Sequence, residues 1–178
     1  GPCMVKGDVN GDKFEDICIG GGYGQPGNLY LQQKNGTFIK KEEPGFDEDK
    51  MSEDVDGLFF DANGDGFEDL YVVSGGYANY ASNDSLLQDR LYLNDGKGNF
   101  TLADSALPKN HTSKLCVRAF DYNNDGKLDL FVSGRVDPWK DPKPVSSFIF
   151  RNDGRNGEIT FTDVTTDVTH ALPNVGRV

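Results

Sequence analysis

Three stretches of this chain place oxygen-bearing side chains at one repeated spacing. They read Asp8-Val-Asn10-Gly-Asp12-Lys-Phe14-Glu-Asp16, Asp61-Ala-Asn63-Gly-Asp65-Gly-Phe67-Glu-Asp69 and Asp121-Tyr-Asn123-Asn-Asp125-Gly-Lys127-Leu-Asp129. Positions 1, 3, 5 and 9 of each phrase carry Asp or Asn, and none carries His or Cys. An all-oxygen donor set suits a hard cation, and Ca²⁺ takes about six to eight such ligands. The candidate ligands are the side chains at those four positions, with the backbone carbonyl of position 7 (Phe14, Phe67 or Lys127) as a fifth. The residue at position 7 differs among the copies, as expected where only its carbonyl is used. Without a cation, the crowded carboxylates repel and raise one another's pKa. An ordinary Asp/Asn/Gly turn without metal would explain one such phrase. Three in register point to cofactor binding, with up to three Ca²⁺. Mg²⁺ fits less well, because it prefers few protein ligands in strict octahedral geometry.

The phrases begin at residues 8, 61 and 121, so the unit recurs at about the period of a solenoid or propeller. Short apolar runs flank each one: Met4-Val5 and Ile17–Ile19, Leu58–Phe60 and Leu70–Val73, Leu115–Phe120 and Leu130–Ser133. Their β-branched and aromatic content, bounded by glycine, predicts strands, which makes each phrase a hairpin loop. Two more strands follow in each unit: Asn28–Gln32 with Gly36–Lys40, Arg90–Asn94 with Gly98–Leu102, and Ser147–Arg151 with Glu158–Thr162. Asn35-Gly36, Asn94-Asp-Gly96 and Asn152-Asp-Gly154 supply hairpin-turn chemistry between them. Four antiparallel strands per unit predict an all-β fold of three β-propeller blades, spanning 3–54, 55–114 and 115–166. Residues 167–178 read as the lead-in to a further blade, and Gly1-Pro2 as the remnant of a cleaved tag. The loops are not EF-hands: position 12 is Ile19, Val72 or Val132, not Glu, and no helices flank them.

The units differ between their second and third strands, where Tyr77–Asp89 and Val136–Ser146 are inserted. Such insertions map to one face of a repeat protein, often the binding face. Tyr77, Tyr80 and Trp139, the sole tryptophan, are the candidate ligand-binding residues there. A rigid loop with Trp139 packed on its own prolines is the competing reading of Asp137–Pro142.

A net charge of −11 argues against nucleic acid or an anionic membrane as partner. No apolar run is long enough to predict membrane insertion. Cys3, Cys18 and Cys116 are an odd number and give no closed disulfide framework. Cys3 and Cys116 occupy equivalent places and are expected to be small buried hydrophobes. A Cys3–Cys18 bridge across neighbouring strands is the alternative for that pair.

The three acidic phrases, each followed by a strand ending in Gly, resemble FG-GAP repeats, also called VCBS-type or integrin-alpha-like repeats. Gln25–Gln32, Asp89–Gly96 and Phe161–Val164 are similar to the bacterial secreted branch, which includes proteins carrying an ASPIC/UnbV tail. The resemblance covers nearly the whole chain. It implies a propeller, typically seven-bladed, with calcium in the hairpin loop of some blades, in proteins that are extracellular, periplasmic or surface-attached. Three blades are too few to close a ring. The expectation is therefore a partial propeller, or a homodimer in which two copies complete one.

The function expected is a non-catalytic calcium-binding module for extracellular protein interaction or adhesion, the metal being structural. The alternatives are a lectin-like propeller that binds glycan and the scaffold part of a larger secreted enzyme. Catalysis by this chain alone is not expected. His111 and His170 fall outside the acidic phrases and read as solvated loop histidines, and no nucleophile, phosphate-loop or zinc signature appears.

Overall fold

The computed structural model describes residues 3–140, 143 and 145–169. Gly1-Pro2, His170 and the rest of the tail through residue 178 lie outside them.

Twelve strands form three four-stranded antiparallel sheets among the described residues. Blade 1 holds β1 (Met4–Gly7), β2 (Asp16–Ile19), β3 (Asn28–Gln32) and β4 (Phe38–Lys41). Blade 2 holds β5 (Glu53–Phe60), β6 (Asp69–Gly75), β7 (Arg90–Asn94) and β8 (Phe100–Leu102). Blade 3 holds β9 (Lys114–Phe120), β10 (Asp129–Gly134), β11 (Phe148–Asn152) and β12 (Phe161–Asp163). Strands follow one another in chain order across each sheet, the meander of a propeller blade. The first strands pack in sequence, β1 against β5 and β5 against β9. Two one-turn helices, α1 (Pro44–Glu48) and α2 (Thr165–Val168), follow the last strands of blades 1 and 3.

The middle blade shows why these strands are apolar. Alternate residues of β6 point to opposite faces. Leu70 and Val72 join Val5, Cys18 and Leu29 in the core between blades 1 and 2. Tyr71 and Val73 join Val117, Leu130 and Val132 in the core between blades 2 and 3. Every residue of β6 is buried, so it reads as a continuous hydrophobic run, not an alternating one. Each fully buried Leu, Val or Phe contributes about 1.5–3 kcal/mol.

The expected strand order holds, with shifted ends. β5 starts at Glu53, because Glu53 and Asp54 pair with Gly75 and Ser74 ahead of the apolar run. β12 starts at Phe161, because Arg155 and Glu158 pair in the turn before it. The cysteines are free: Cys18 is buried, while Cys3 and Cys116 are half-buried. Cys3 lies just outside β1 and is opposite Gly20, not Cys18, whose register partner is Val5.

Candidate metal centres

Each acidic phrase is the loop joining the first two strands of its blade, closed by the pairs Gly7–Asp16, Phe60–Asp69 and Phe120–Asp129. The loops curl on themselves through backbone amides. In loop 2, Asp61 Oδ1 accepts from Gly64 N (2.7 Å) and Asp65 N (3.2 Å), and Oδ2 from Gly66 N (2.9 Å). Asn63 Oδ1 accepts from Asp65 N, and Asp65 Oδ1 from Phe67 N. Asp8, Asn10 and Asp12 repeat this pattern in loop 1. Asp121, Asn123 and Asp125 repeat most of it in loop 3. The curl needs left-handed backbone at positions 4 and 6. Glycine supplies both in loop 2, whereas Lys13 (φ 71°) and Asn124 (φ 58°) adopt it in loops 1 and 3.

Position 9 is built differently. Asp16, Asp69 and Asp129 are wholly buried. In each, one oxygen accepts from the position-2 amide (Val9, Ala62, Tyr122) and the other from the amide ending the third strand (Gln32, Asn94, Asn152). This carboxylate therefore ties the loop to its own blade. Burial pushes Asp69 up to about 6, against the pull of the Asn94 and Ala62 amides and with Asp65 and Asp61 adding to it. Burial raises Asp16 and Asp129 as well.

The chemistry of the donors fits a hard cation: every group is an oxygen, and the carboxylate oxygens that accept a single amide, such as Asp61 Oδ2 and Asp65 Oδ1, keep a second lone pair. Their present arrangement is closed on amides. Among the described residues no three His, Cys, Asp or Glu side chains converge as a metal-holding group. Phe14, Phe67 and Lys127 occupy position 7 in their loops, with Phe67 largely exposed.

One set of site residues shows only turn chemistry in the sequence. The amide nitrogen of Asn94, at the end of β7, donates to the Val9 carbonyl of loop 1 (2.8 Å). The same atom of Asn152 donates to the Ala62 carbonyl of loop 2 (2.8 Å). Each blade thus grips the loop of the blade before it. Both asparagines stand in Asn-Asp-Gly turns, and their recurrence was the available signal. A second buried network lies under the blade 2 insert, where Asp89 accepts from Tyr71 Oη and Ser74 N and pairs with Lys114 Nζ at 3.2 Å.

The opposite end of the blades carries the inserts. Trp139 is 65% exposed, its indole N–H donates to the Tyr80 carbonyl (2.9 Å), and its ring lies 5.6 Å from that of Tyr77. Tyr80 is buried, its hydroxyl donates to the Met51 carbonyl and its ring lies 5.9 Å from that of Tyr23, so it meets Trp139 through its main-chain carbonyl. Ser82 of the first insert bonds Asp137 of the second. His111 is half-buried in the link between blades 2 and 3.

The FG-GAP-like repeat family matches the chain twice, over residues 8–72 and 61–132. This chain belongs to that family. Each match opens at the first Asp of a loop and runs into the second strand of the following blade, so it covers the last three strands of one blade and the first hairpin of the next. No curated protein matches the chain.

Proposed function

We propose that this FG-GAP protein is a non-catalytic, calcium-binding module for protein interaction outside the cell, in which the metal is structural. One observation carries the proposal: three loops with the same oxygen donors at positions 1, 3 and 5 recur in three blades, at the same register. Position 9 holds each loop to its blade, so metal bound by the outer donors would stiffen a loop that the next blade grips. Ca²⁺ neutralises the repulsion among these carboxylates when bound. Binding to the folded chain alone stabilises it by about 2.7 kcal/mol at a free calcium concentration 100 times Kd.

Calorimetric titration of the metal-stripped chain tests this. Three sites are expected, with two remaining in Asp61→Ala. Absence of binding heat together with an unchanged melting temperature in calcium would remove the proposal.

A second reading, glycan binding, is favoured by the Tyr77–Trp139 pair at the insert face, in which Trp139 is exposed and Tyr77 half-buried. Trp139 is the only tryptophan, so its fluorescence reports a sugar stacked on it. A glycan array without a positive, or a positive unaffected by Trp139→Ala, removes that reading.

A further inference from the structure

The hydrogen bonds around the three loops join end to end. In loop 1 the Val9 residue is held from both sides. Its N–H donates to Asp16 of its own blade (3.1 Å), and its carbonyl accepts from the Asn94 side chain of the next (2.8 Å). The main-chain N–H of Asn94 donates to Asp69 Oδ1 (2.8 Å), and Asp69 Oδ2 accepts from Ala62 N in loop 2 (3.0 Å). The Ala62 carbonyl accepts from the Asn152 side chain, and Asn152 N donates to Asp129 Oδ1, both at 2.8 Å. Asp129 Oδ2 accepts from Tyr122 N in loop 3 (3.2 Å). One line of hydrogen bonds therefore passes through all three loops. Val9, Ala62, the two asparagines and the three position-9 carboxylates are buried, so water does not compete for its bonds.

The residue gripped in each loop, position 2, stands between two outer oxygen donors. Val9 lies between Asp8 and Asn10, and Ala62 between Asp61 and Asn63. Those donors have two arrangements: curled onto the amides of their own loop, or turned to a cation. A change from one to the other moves the position-2 carbonyl, which the neighbouring blade holds directly. The line thus joins elements that each have two states, which is what physical coupling between sites requires.

We infer that the three loops are coupled through Asn94 and Asn152, so that Ca²⁺ in one loop tightens binding in the loop of each adjacent blade. This rests on the calcium reading above. The sign follows from ordering. A filled loop fixes its position-2 carbonyl, hence the asparagine that grips it, and hence the position-9 carboxylate of the next loop. That loop then has less freedom left to lose when it binds. The effect is reciprocal between any two loops. Charge acts in the opposite sense. Loop 2 carries the carboxylates of Asp61, Asp65, Glu68 and Asp69, so with one bound ion its charge is −2. With Asp65→Ala and no ion it is −3. Charge alone would therefore tighten the neighbouring loops in that variant.

The test is a calcium titration of the whole chain followed by nuclear magnetic resonance. The amides of Gly11, Gly64 and Gly126 donate to Asp8, Asp61 and Asp121, so each reports its own loop. Asp65→Ala empties loop 2 without touching the line. It is expected to weaken half-saturation at Gly11 and at Gly126 by about fivefold, the lower end of coupling between sites. Adding Asn94→Ser, too short to reach the Val9 carbonyl, abolishes the change at Gly11 and keeps it at Gly126; adding Asn152→Ser does the reverse. Asn99→Ala, an exposed amide in the same turn as Asn94, abolishes neither. Midpoints at Gly11 and Gly126 that are unchanged or tightened by Asp65→Ala would overturn the inference, and that comparison needs no clamp variant to fold. Weakening that survives the matching clamp substitution would overturn it too. A calcium-free arm separates the coupling from the metal. Asp61→Ala, which releases the curl of loop 2, is expected to speed hydrogen exchange at the amides of Val9 and Tyr122. Unchanged exchange there would overturn the coupling, whereas a loss of calcium response at every glycine removes the proposed function and leaves this arm to decide the coupling.

Discussion

Asn152 gives the sharpest handle on how the blades hold together. Its side chain is 2% exposed, and its amide spans from blade 3 to the Ala62 carbonyl in loop 2. Its Oδ1 also accepts from Gly154 N at 3.0 Å, fixing the turn that follows β11. Asn152→Ala removes both contacts, and a longer one to the Leu128 carbonyl (3.4 Å), without adding bulk. The stranded, buried Ala62 carbonyl costs about 1–3 kcal/mol, and the lost turn bond about 0.5–1.5 kcal/mol. Together these give roughly 2–4 kcal/mol, a large part of the stability of a marginally stable domain. Gln32→Ala is the internal control, since Gln32 holds the same register position with no blade packed before it among the described residues. Its cost in dilute solution is expected within about 0.5 kcal/mol. Urea unfolding followed by far-ultraviolet circular dichroism measures both. A loss below about 0.5 kcal/mol for Asn152→Ala, or equal losses for the two variants, would refute the idea that this amide clamps one blade to the next.

Asp89→Ala strands the buried Lys114 ammonium beside the Leu87 and Asn110 carbonyls. It is expected to cost about 3–5 kcal/mol in the same unfolding assay. Lys13→Gly relieves left-handed backbone worth about 1–2 kcal/mol, partly offset by the added freedom of the unfolded chain. It should therefore raise stability modestly, and a lower urea midpoint would count against strain at that position. Burial, with Asp54 adding to it, pushes the Cys3 thiol up to about 11 from 9.0. Its folded pKa lies above the unfolded one, so its contribution is complete below pH 9 and is lost as pH rises towards 11. Alkylation near pH 8 should accordingly be slow at Cys3 in the folded chain and fast after unfolding, as mass spectrometry of timed samples would show.

The blades were legible because each unit repeats both its periodicity and its turn residues. Leu70–Val73 announces a buried strand by composition, and Asn94-Asp-Gly96 announces the hairpin after it. The strand ends were less visible. Glu53 and Asp54 are polar yet pair in β5, and Asp54 is kept there by Arg90, whose Nη2 donates to it at 2.5 Å. The acidic phrases were visible at once, but the division of labour within them was not. Spacing cannot separate Asp61, which curls an exposed loop, from Asp69, which is buried between strands, because burial depends on what the next strand brings alongside. Asn94 and Asn152 showed their turn chemistry in sequence, while their grip on the preceding loop depends on residues 85 and 90 positions away.

Anomalous diffraction from crystals grown in calcium tests the central claim most directly. Three peaks are predicted, one in each of the loops 8–16, 61–69 and 121–129, beside the side chains of positions 1, 3 and 5. Loops that remain curled on their own amides, with no anomalous density at saturating calcium, would contradict it.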